Sequence, residues 1–326
     1  MQKVPIIQGG MGVGVSLSSL AGAVAKEGAI GVISAAQPGY LESDFGIDSL
    51  KANIRALGKH IKRAKSISNN GIIGVNIMWA TRNYEDYVKC AIDNGADLII
   101  SGAGLPTDLP KFTEGSNIKL APIVSPPKSA SVILKMWDRR YGRTADMVII
   151  EGPKAGGHLG FKAEDIENDT IDLDQIVRDV IEVSVPYAEK YNKEIPIIVA
   201  GGVFDGADIA HYLELGASGV QMATRFIATE ECDAHPNFKQ AIIDAKEEDI
   251  ILVKSPVGMP GRAIRNPFSA NMGFNVRKSK NVITALNHVI QQLQFIVLVK
   301  LYFMRFEVKW MMPYYSVGRM LTESMN

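Results

Sequence analysis

The sequence predicts an α/β protein built as a (β/α)8 barrel, and three observations support this fold class. Eight short apolar runs recur between residues 5 and 225, and segments with helical spacing separate them. Each run is apolar throughout instead of alternating with polar residues, which is typical of parallel strands buried on both faces. The chain has 326 residues, 47% of them hydrophobic, so it can bury a large core. A doubly wound sheet is the alternative, because strand counts taken from sequence are uncertain by about one or two.

The apolar runs are the predicted barrel strands. In chain order they are Pro5–Gln8, Ala29–Ala35, Ile72–Met78, Leu98–Gly102, Leu120–Ser125, Met147–Gly152, Ile195–Ala200 and Gly219–Arg225. Because helices alternate with these runs, we expect the strands to lie parallel and side by side around a barrel.

Helical segments fill the intervals between the runs. They are Leu17–Lys26, Leu50–Lys65, Tyr84–Asn94, Ser129–Tyr141, Leu173–Tyr191, Ala207–Leu215 and Asn237–Ala245. Ser16 and Asp205 precede two of them as predicted N-caps. Gly95 and Gly142 follow two others, where glycine favours the end of a helix. Thr107–Ser116 is only weakly helical in pattern.

The last part of the chain departs from this alternation. Ile250–Val253 predicts a further strand, and the Gly- and Pro-rich segment Lys254–Phe268 predicts a lid-like loop over one barrel mouth. We therefore expect a barrel domain at 1–277 and an atypical C-terminal extension at 278–326. The extension has six Lys and Arg against two Glu, a net +4, and holds five methionines after residue 303. Its apolar stretch is shorter than the roughly 20 residues of a membrane span, which favours a terminal helix packed on the barrel.

Composition excludes several function classes. The formal net charge is zero and the pI is about 7.0, which gives no electrostatic signature of binding to nucleic acid or to an anionic membrane. Cys90 and Cys232 are far apart and in no CxxC spacing, so neither a disulfide framework nor structural zinc is expected. No signal peptide is recognised before the first apolar run, and the expected location is cytoplasmic.

Glycine dominates the positions that follow the predicted strands, where a barrel of this kind carries its active face. Gly201-Gly202 follows the seventh strand and Ala223-Thr224 follows the eighth, where barrels commonly bind a phosphate on backbone N–H groups. The alternative is that the two glycines only form a tight turn. The sequence favours phosphate binding because both loops have this character.

His158 is the candidate proton-transfer group. It lies in the glycine-rich segment Gly152–Gly160 after the sixth strand, and histidine exchanges protons near neutral pH. No Ser-His-Asp triad, paired carboxylates or metal-binding cluster can be assembled at the strand ends. We therefore expect a cofactor to carry the difficult chemistry, and a phosphate-bearing flavin suits such a site.

The same segments carry a family resemblance. Together, Ile7–Gly12, Gly74–Met78, Ala155–Gly160, Ala200–Gly202 and Gln221–Phe226 resemble the nitronate monooxygenase (2-nitropropane dioxygenase-like) family. The closely similar FMN-dependent enoyl-acyl-carrier-protein reductase II shares nearly all of them. The resemblance covers about residues 5–268, in the order expected of the family.

The resemblance implies an FMN-binding TIM barrel whose flavin-dependent oxidoreductase activity converts an alkyl nitronate and dioxygen to a carbonyl compound and nitrite. His158 matches the family's active-site histidine, which can act as a base toward neutral nitroalkanes. The implied flavin contacts are Gly10, Met11, Asn76, Gly157, Gly201, Gly202, Ala223 and Thr224. No metal site is implied.

Two other functions stay open at this level. The first is NAD(P)H-dependent reduction of an enoyl thioester through FMN, although Val257–Ala263 is more similar to the nitronate group. The second is a non-catalytic flavin- or phosphate-binding protein. Gly12–Val15 departs from the best-known members of either enzyme group, so the physiological substrate is open. The expected partners are a small-molecule nitronate and dioxygen, with no nucleic acid or membrane. A homo-oligomer is also open, with Phe295–Val299 as a candidate interface.

Overall fold

A computed structural model describes residues 4–254, 259–266 and 269. The predicted extension at 278–326 and its candidate interface Phe295–Val299 lie outside the described residues. The same holds for 255–258 and 267–268 within the predicted lid.

The described chain contains eleven strands, eight of which form the barrel. They are β1 (Ile6–Gln8), β2 (Gly31–Ser34), β3 (Ile73–Met78), β4 (Leu98–Gly102), β5 (Lys119–Val124), β6 (Val148–Glu151), β7 (Gly157–His158), β8 (Ile197–Ala200), β9 (Gly219–Met222), β10 (Ile250–Lys254) and β11 (Pro260–Ile264). The barrel strands are β1 to β6, β8 and β9.

Helices follow the barrel strands as predicted, with short additional helices in three loops. They are α1 (Ser18–Lys26), α2 (Ser49–Ile67), α3 (Tyr84–Asp93), α4 (Leu109–Phe112), α5 (Pro127–Tyr141), α6 (Ala163–Glu167), α7 (Leu173–Lys190), α8 (Gly206–Glu214), α9 (Thr224–Ile227) and α10 (Pro236–Asp244). The weakly helical segment after β4 forms only the four residues of α4.

The barrel strands are parallel and lie in the order β1-β9-β8-β6-β5-β4-β3-β2. A parallel bridge between Ile7 and Ile30 joins the two ends. Two backbone hydrogen bonds support it, from Gln8 N to Ile30 O at 2.9 Å and from Ile30 N to Ile6 O at 3.1 Å. The predicted (β/α)8 fold class is therefore confirmed.

Alternation along each strand separates two cores. Inward-pointing side chains fill the barrel, and outward-pointing ones pack under the helices. Along β6, Ile149 belongs to the inner cluster, while Val148 and Ile150 belong to the outer one. The inner cluster consists of Ile7, Ile30, Val32, Leu98, Ile100, Ala121, Ile149, Ile198 and Ala200.

The N-terminus of α1 is capped differently from the prediction. Ser16 was predicted as its N-cap, but the Ser16 hydroxyl instead accepts a hydrogen bond from Met11 N at 2.8 Å. The Asp233 carboxylate, from the segment after α9, accepts from Leu17 N, Ser19 N and Leu20 N at 2.8–3.1 Å. An anion at this position satisfies several unpaired N–H groups at once and interacts favourably with the helix dipole.

The predicted lid is partly a β-hairpin. β10 pairs antiparallel with β11, and β11 pairs antiparallel with β7, the two-residue strand that contains His158. Pro260–Ile264, expected as part of a loop, is therefore a strand. Its pairing partner lies about 100 residues earlier in the chain, which local sequence patterns do not reveal.

No helix in the described part of the chain combines the length and the apolar character needed to cross a membrane.

Candidate functional site

The carboxyl ends of the eight barrel strands surround one mouth of the barrel. Seven of the eight predicted flavin contacts lie near these ends, in the strand or within three residues after it, and Gly157 lies farther along the loop after β6, in β7. Strand alternation also sends three polar side chains into this mouth. Val75 and Ile77 face the helices, so Asn76 between them points into the barrel. By the same alternation, Glu151 at the end of β6 and Gln221 in β9 point inward.

The loop after β1 brings Gly10 to Asn76. A Cβ atom at Gly10 would lie only 2.4 Å from the Asn76 Cβ, so a side chain at this position would displace β3 or the loop. The loop is closed by mutual hydrogen bonds between Met11 and Ser16, including Ser16 N to Met11 O at 3.0 Å. Sequence prediction placed Gly10, Met11 and Asn76 in one site, and the structure places Gly10 against Asn76, with Met11 next along the same loop.

The loops after β6 and β8 form a glycine cradle, defined by Gly152, Gly201 and Gly202. A Cβ at Gly201 would lie 2.6 Å from the Gly152 carbonyl oxygen, and Gly201 has a positive φ of 76°. Gly202 has a φ of 151°, also in the region that favours glycine. Lys154 N donates to Gly201 O at 3.1 Å, which joins the two loops. The three glycines therefore expose backbone to the mouth, and the side chain of Lys154 lies beside Gly202, its Cβ 3.7 Å from where a Gly202 Cβ would stand.

Unpaired N–H groups are available at the cradle and beside it. Gly202 N and Val203 N have no acceptor among the described residues. Ala223 is the N-cap of α9 and makes no side-chain cap, so the first-turn N–H groups at Thr224 lack intrahelical acceptors. The neighbouring α8 differs, because the predicted N-cap Asp205 accepts from Ala207 N and Asp208 N at 3.0 and 3.1 Å. An anion such as a phosphate would therefore meet the loop N–H groups and α9, not the start of α8.

His158 lies at the rim of the mouth, in the loop between β6 and α6. Leu159 N donates to Pro260 O at 2.9 Å, which continues the pairing between β7 and β11. Gly160 packs against the side chain of Ser125 at the end of β5, since a Cβ there would lie 2.2 Å from Ser125 Oγ. The imidazole is exposed at the rim, yet the surrounding loops remove enough water to lower the pKa of His158 below its usual 6.5. The neutral, proton-accepting form is therefore favoured at neutral pH.

Glu151 and Gln221 were not predicted as site residues. The strand register aligns Glu151 with Ala200 and Ala200 with Gln221, so the two polar side chains flank a small one in a single layer of the barrel. Burial raises the pKa of the Glu151 carboxyl to about 7. Gln221 Oε1 is buried and accepts no hydrogen bond from the described residues. Strand alternation could have identified both residues, because they occupy inward-pointing positions at the carboxyl ends of predicted strands.

Three other histidines have structural contacts away from the mouth. His60 lies 3.0 Å from Ser18 Oγ, His211 pairs with Asp174, and His235 caps α10 through Asn237 N. His288 lies outside the described residues. Within the described ranges, no group of three His, Cys, Asp or Glu side chains is arranged to hold a metal ion.

The mouth fits a phosphate-bearing aromatic cofactor such as FMN. The glycine cradle leaves room for close approach, and the free N–H groups suit a phosphate. The buried Gln221 Oε1 requires an N–H or O–H donor, and both a ribityl chain and a flavin ring supply such donors. Apart from Lys154 beside the cradle, the groups that this fit uses are backbone or uncharged side chains, as expected for a large ligand with little charge outside its phosphate.

Comparison with known proteins gives a consistent result. A family model described as Nitronate monooxygenase matches residues 1–294, a longer range than the 5–268 over which the sequence showed the resemblance. A probable nitronate monooxygenase of Staphylococcus saprophyticus is 28% identical over 301 residues, covering 83% of this chain and 78% of that protein. A protein of the same description from Staphylococcus aureus strain Newman is 26% identical over 288 residues, with the same coverage of 83% and 78%.

Solved structures share the fold. Nitroalkane oxidase from Streptomyces ansochromogenes superposes with a TM-score of 0.72 at 21% identity, covering 99% of this chain and 96% of that one. FabK from Thermotoga maritima gives a TM-score of 0.65 at 24% identity, with coverage of 93% and 95%.

Proposed function

The chain belongs to the nitronate monooxygenase family and is a flavin-dependent oxidoreductase, and we propose that it uses FMN to oxidise alkyl nitronates with dioxygen, giving a carbonyl compound and nitrite. The observation that carries the proposal is the placement of His158. Its neutral imidazole stands at the rim of a mouth that is lined by glycine backbone and unpaired N–H groups.

We assign the eight predicted contacts to holding the cofactor. The N–H groups around Gly201, Gly202, Ala223 and Thr224 would bind its phosphate, and Gly10, Met11, Asn76 and Gly157 would lie against its remaining parts. When bound, FMN supplies the electron acceptor for the nitronate and the centre that reacts with dioxygen.

His158 has two tasks in this proposal. Toward a neutral nitroalkane, a ring nitrogen takes the proton from the carbon that bears the nitro group, which requires an unprotonated imidazole. The resulting imidazolium then stabilises the nitronate anion by a charge-assisted hydrogen bond. A nitronate supplied as the anion needs no proton removal, so the first task is then dispensable.

Glu151 and Gln221 would act on the inner side of the mouth. With a pKa of about 7, the Glu151 carboxyl is protonated in a large fraction of molecules at neutral pH and can then donate a hydrogen bond. Gln221 Oε1 can accept one. A donor and an acceptor on either side of Ala200 suit the hydroxyl groups of a ribityl chain, and they add no net charge when Glu151 is protonated.

The test of the proposed function measures the product, nitrite, and the cosubstrate, dioxygen, in one experiment. The FMN-loaded protein is given a nitronate in air, and oxygen uptake and nitrite are measured without any nicotinamide cofactor. Nitrite formed in step with oxygen uptake supports the proposal. Consumption of NAD(P)H with an enoyl thioester, and no nitrite from nitronate, would instead establish the reductase alternative. Flavin binding without either activity would establish the non-catalytic one.

A further inference from the structure

Arg262 in β11 closes the loop that carries His158. Its Nη1 atom donates to Pro153 O at 2.6 Å and to Ala155 O at 2.9 Å. The two carbonyl groups belong to an irregular turn and accept no hydrogen bond from the described backbone. One guanidinium nitrogen thus satisfies two carbonyl groups that would otherwise need separate donors. Because both carbonyl groups point at this nitrogen, the turn surrounds the guanidinium.

The strand pairing gives Arg262 and His158 opposite directions. In the ladder of β7 and β11, Arg262 faces Gly157 and His158 faces Gly261. Neighbouring residues of a strand point to opposite faces, so the guanidinium fills the inner side of the turn while the imidazole lies on the other face. Each large side chain is opposite a glycine, which leaves space for both.

The guanidinium has an unusual electrostatic setting. It is half-buried, and within residues 4–254 and 259–266 no carboxylate lies at ion-pair distance from it. Burial lowers the pKa of Arg262, although a guanidinium stays protonated in proteins. A half-buried cation whose described partners are carbonyl dipoles holds those carbonyls strongly, since releasing them leaves the charge unsolvated.

We propose that Arg262 is a positioning residue that fixes the 153–158 turn from behind and thereby sets the position of His158 at the mouth. It does not touch the reacting atoms. The kinetic part of this inference rests on the proposed function, whereas the effect on the turn does not.

The turn itself provides a readout that is independent of activity. Lys154 lies within it, between the two carbonyl acceptors, and is an exposed trypsin site. We expect R262M to raise the rate of cleavage after Lys154 by about tenfold or more, because losing one charge-assisted hydrogen bond has an effect of that order. R262K, which keeps the charge on a single nitrogen, should lie between R262M and the unmodified protein. R265M is the matched control, since Arg265 follows the same strand and is exposed.

The kinetic readout tests whether Arg262 acts through His158. With a neutral nitroalkane, R262M should lower kcat about tenfold with little change in KM, and R262K should restore part of the loss. In an H158N background, R262M should have no further effect on nitroalkane turnover, because residues that act as a unit are not additive.

The inference is overturned if R262M and R265M are cleaved at the same rate as the unmodified protein, or if the effects of R262M and H158N simply multiply. If the protein shows neither nitroalkane nor nitronate turnover, the proposed function fails. The cleavage rates then still decide whether Arg262 holds the turn.

Discussion

His158 lies directly opposite Gly261 in the antiparallel pairing of β7 with β11. A two-residue strand in a glycine-rich loop has little stability of its own. Its pairing with the hairpin of β10 and β11 therefore determines where the imidazole stands relative to the mouth. Segments about 100 residues apart in the chain thus build one edge of the site.

The first prediction concerns the base role of His158. In H158N, kcat/KM for a neutral nitroalkane should fall by about 10²- to 10⁴-fold, the usual contribution of a general base. Turnover of the preformed nitronate should fall much less. Because the pKa of His158 is lowered by burial, the acid limb for the nitroalkane should lie below pH 6.5 in the unmodified protein. Equal losses for nitroalkane and nitronate would contradict the base role.

The second prediction concerns the stability of the flavin-free protein as a function of pH. Burial raises the Glu151 pKa from 4.5 to about 7, so between these values the folded state binds more protons than the unfolded state. Stability from this group is therefore present at low pH and is lost as pH rises through about 7. E151Q should match the unmodified protein near pH 4.5 and be more stable at pH 8 by about 3 kcal/mol.

Urea unfolding of both proteins across this pH range measures the difference. A constant difference in unfolding free energy at all pH values would show that Glu151 does not titrate with a raised pKa.

The third prediction concerns the phosphate. Gly202 has a φ of 151° and an added Cβ would meet no atom closer than 3.7 Å, so G202A adds backbone strain without a clash. We expect a stability loss of about 1–2 kcal/mol. The dissociation constant for FMN should rise about tenfold more than that for riboflavin, because a shifted loop misplaces N–H groups that meet only the phosphate.

G216A is the matched control for G202A. Gly216 also has a positive φ, 98°, and its nearest neighbour to an added Cβ is 3.5 Å away, but it lies at the far end of α8. It should lose similar stability and keep the ratio of FMN to riboflavin affinity. If the ratio of FMN to riboflavin affinity were also unchanged in G202A, the glycine cradle would not be the phosphate-binding site.

Local patterns in the sequence were sufficient for the barrel. Leu98–Gly102 was predicted with both of its ends, and the caps at Asp205 and Gly142 were also predicted. These features depend on residues that are close in sequence: apolar runs, cap side chains and glycines at positive φ. Ser16 failed as a cap because its competitor, Asp233, comes from 217 residues later in the chain.

The sequence predicted less of the site than of the barrel. The site residues that it missed are brought into place by pairing between segments that are distant in the chain. Arg262 reaches the His158 loop only because β11 pairs with β7. The Gly- and Pro-rich sequence around Arg262 had predicted a loop instead of a strand. Glu151 and Gln221 come into one layer, on either side of Ala200, only through the register of β6, β8 and β9. Neither relationship has a signature within a window of a few residues.

In the proposed function, a nitronate reduces the flavin held at this mouth. The most direct measurement is the absorbance of the FMN-loaded protein when a nitronate is added without oxygen. We expect rapid loss of the oxidised flavin spectrum, recovery on admission of air, and nitrite in the solution. An oxidised spectrum that stays unchanged with nitronate but is bleached by NAD(P)H would contradict it.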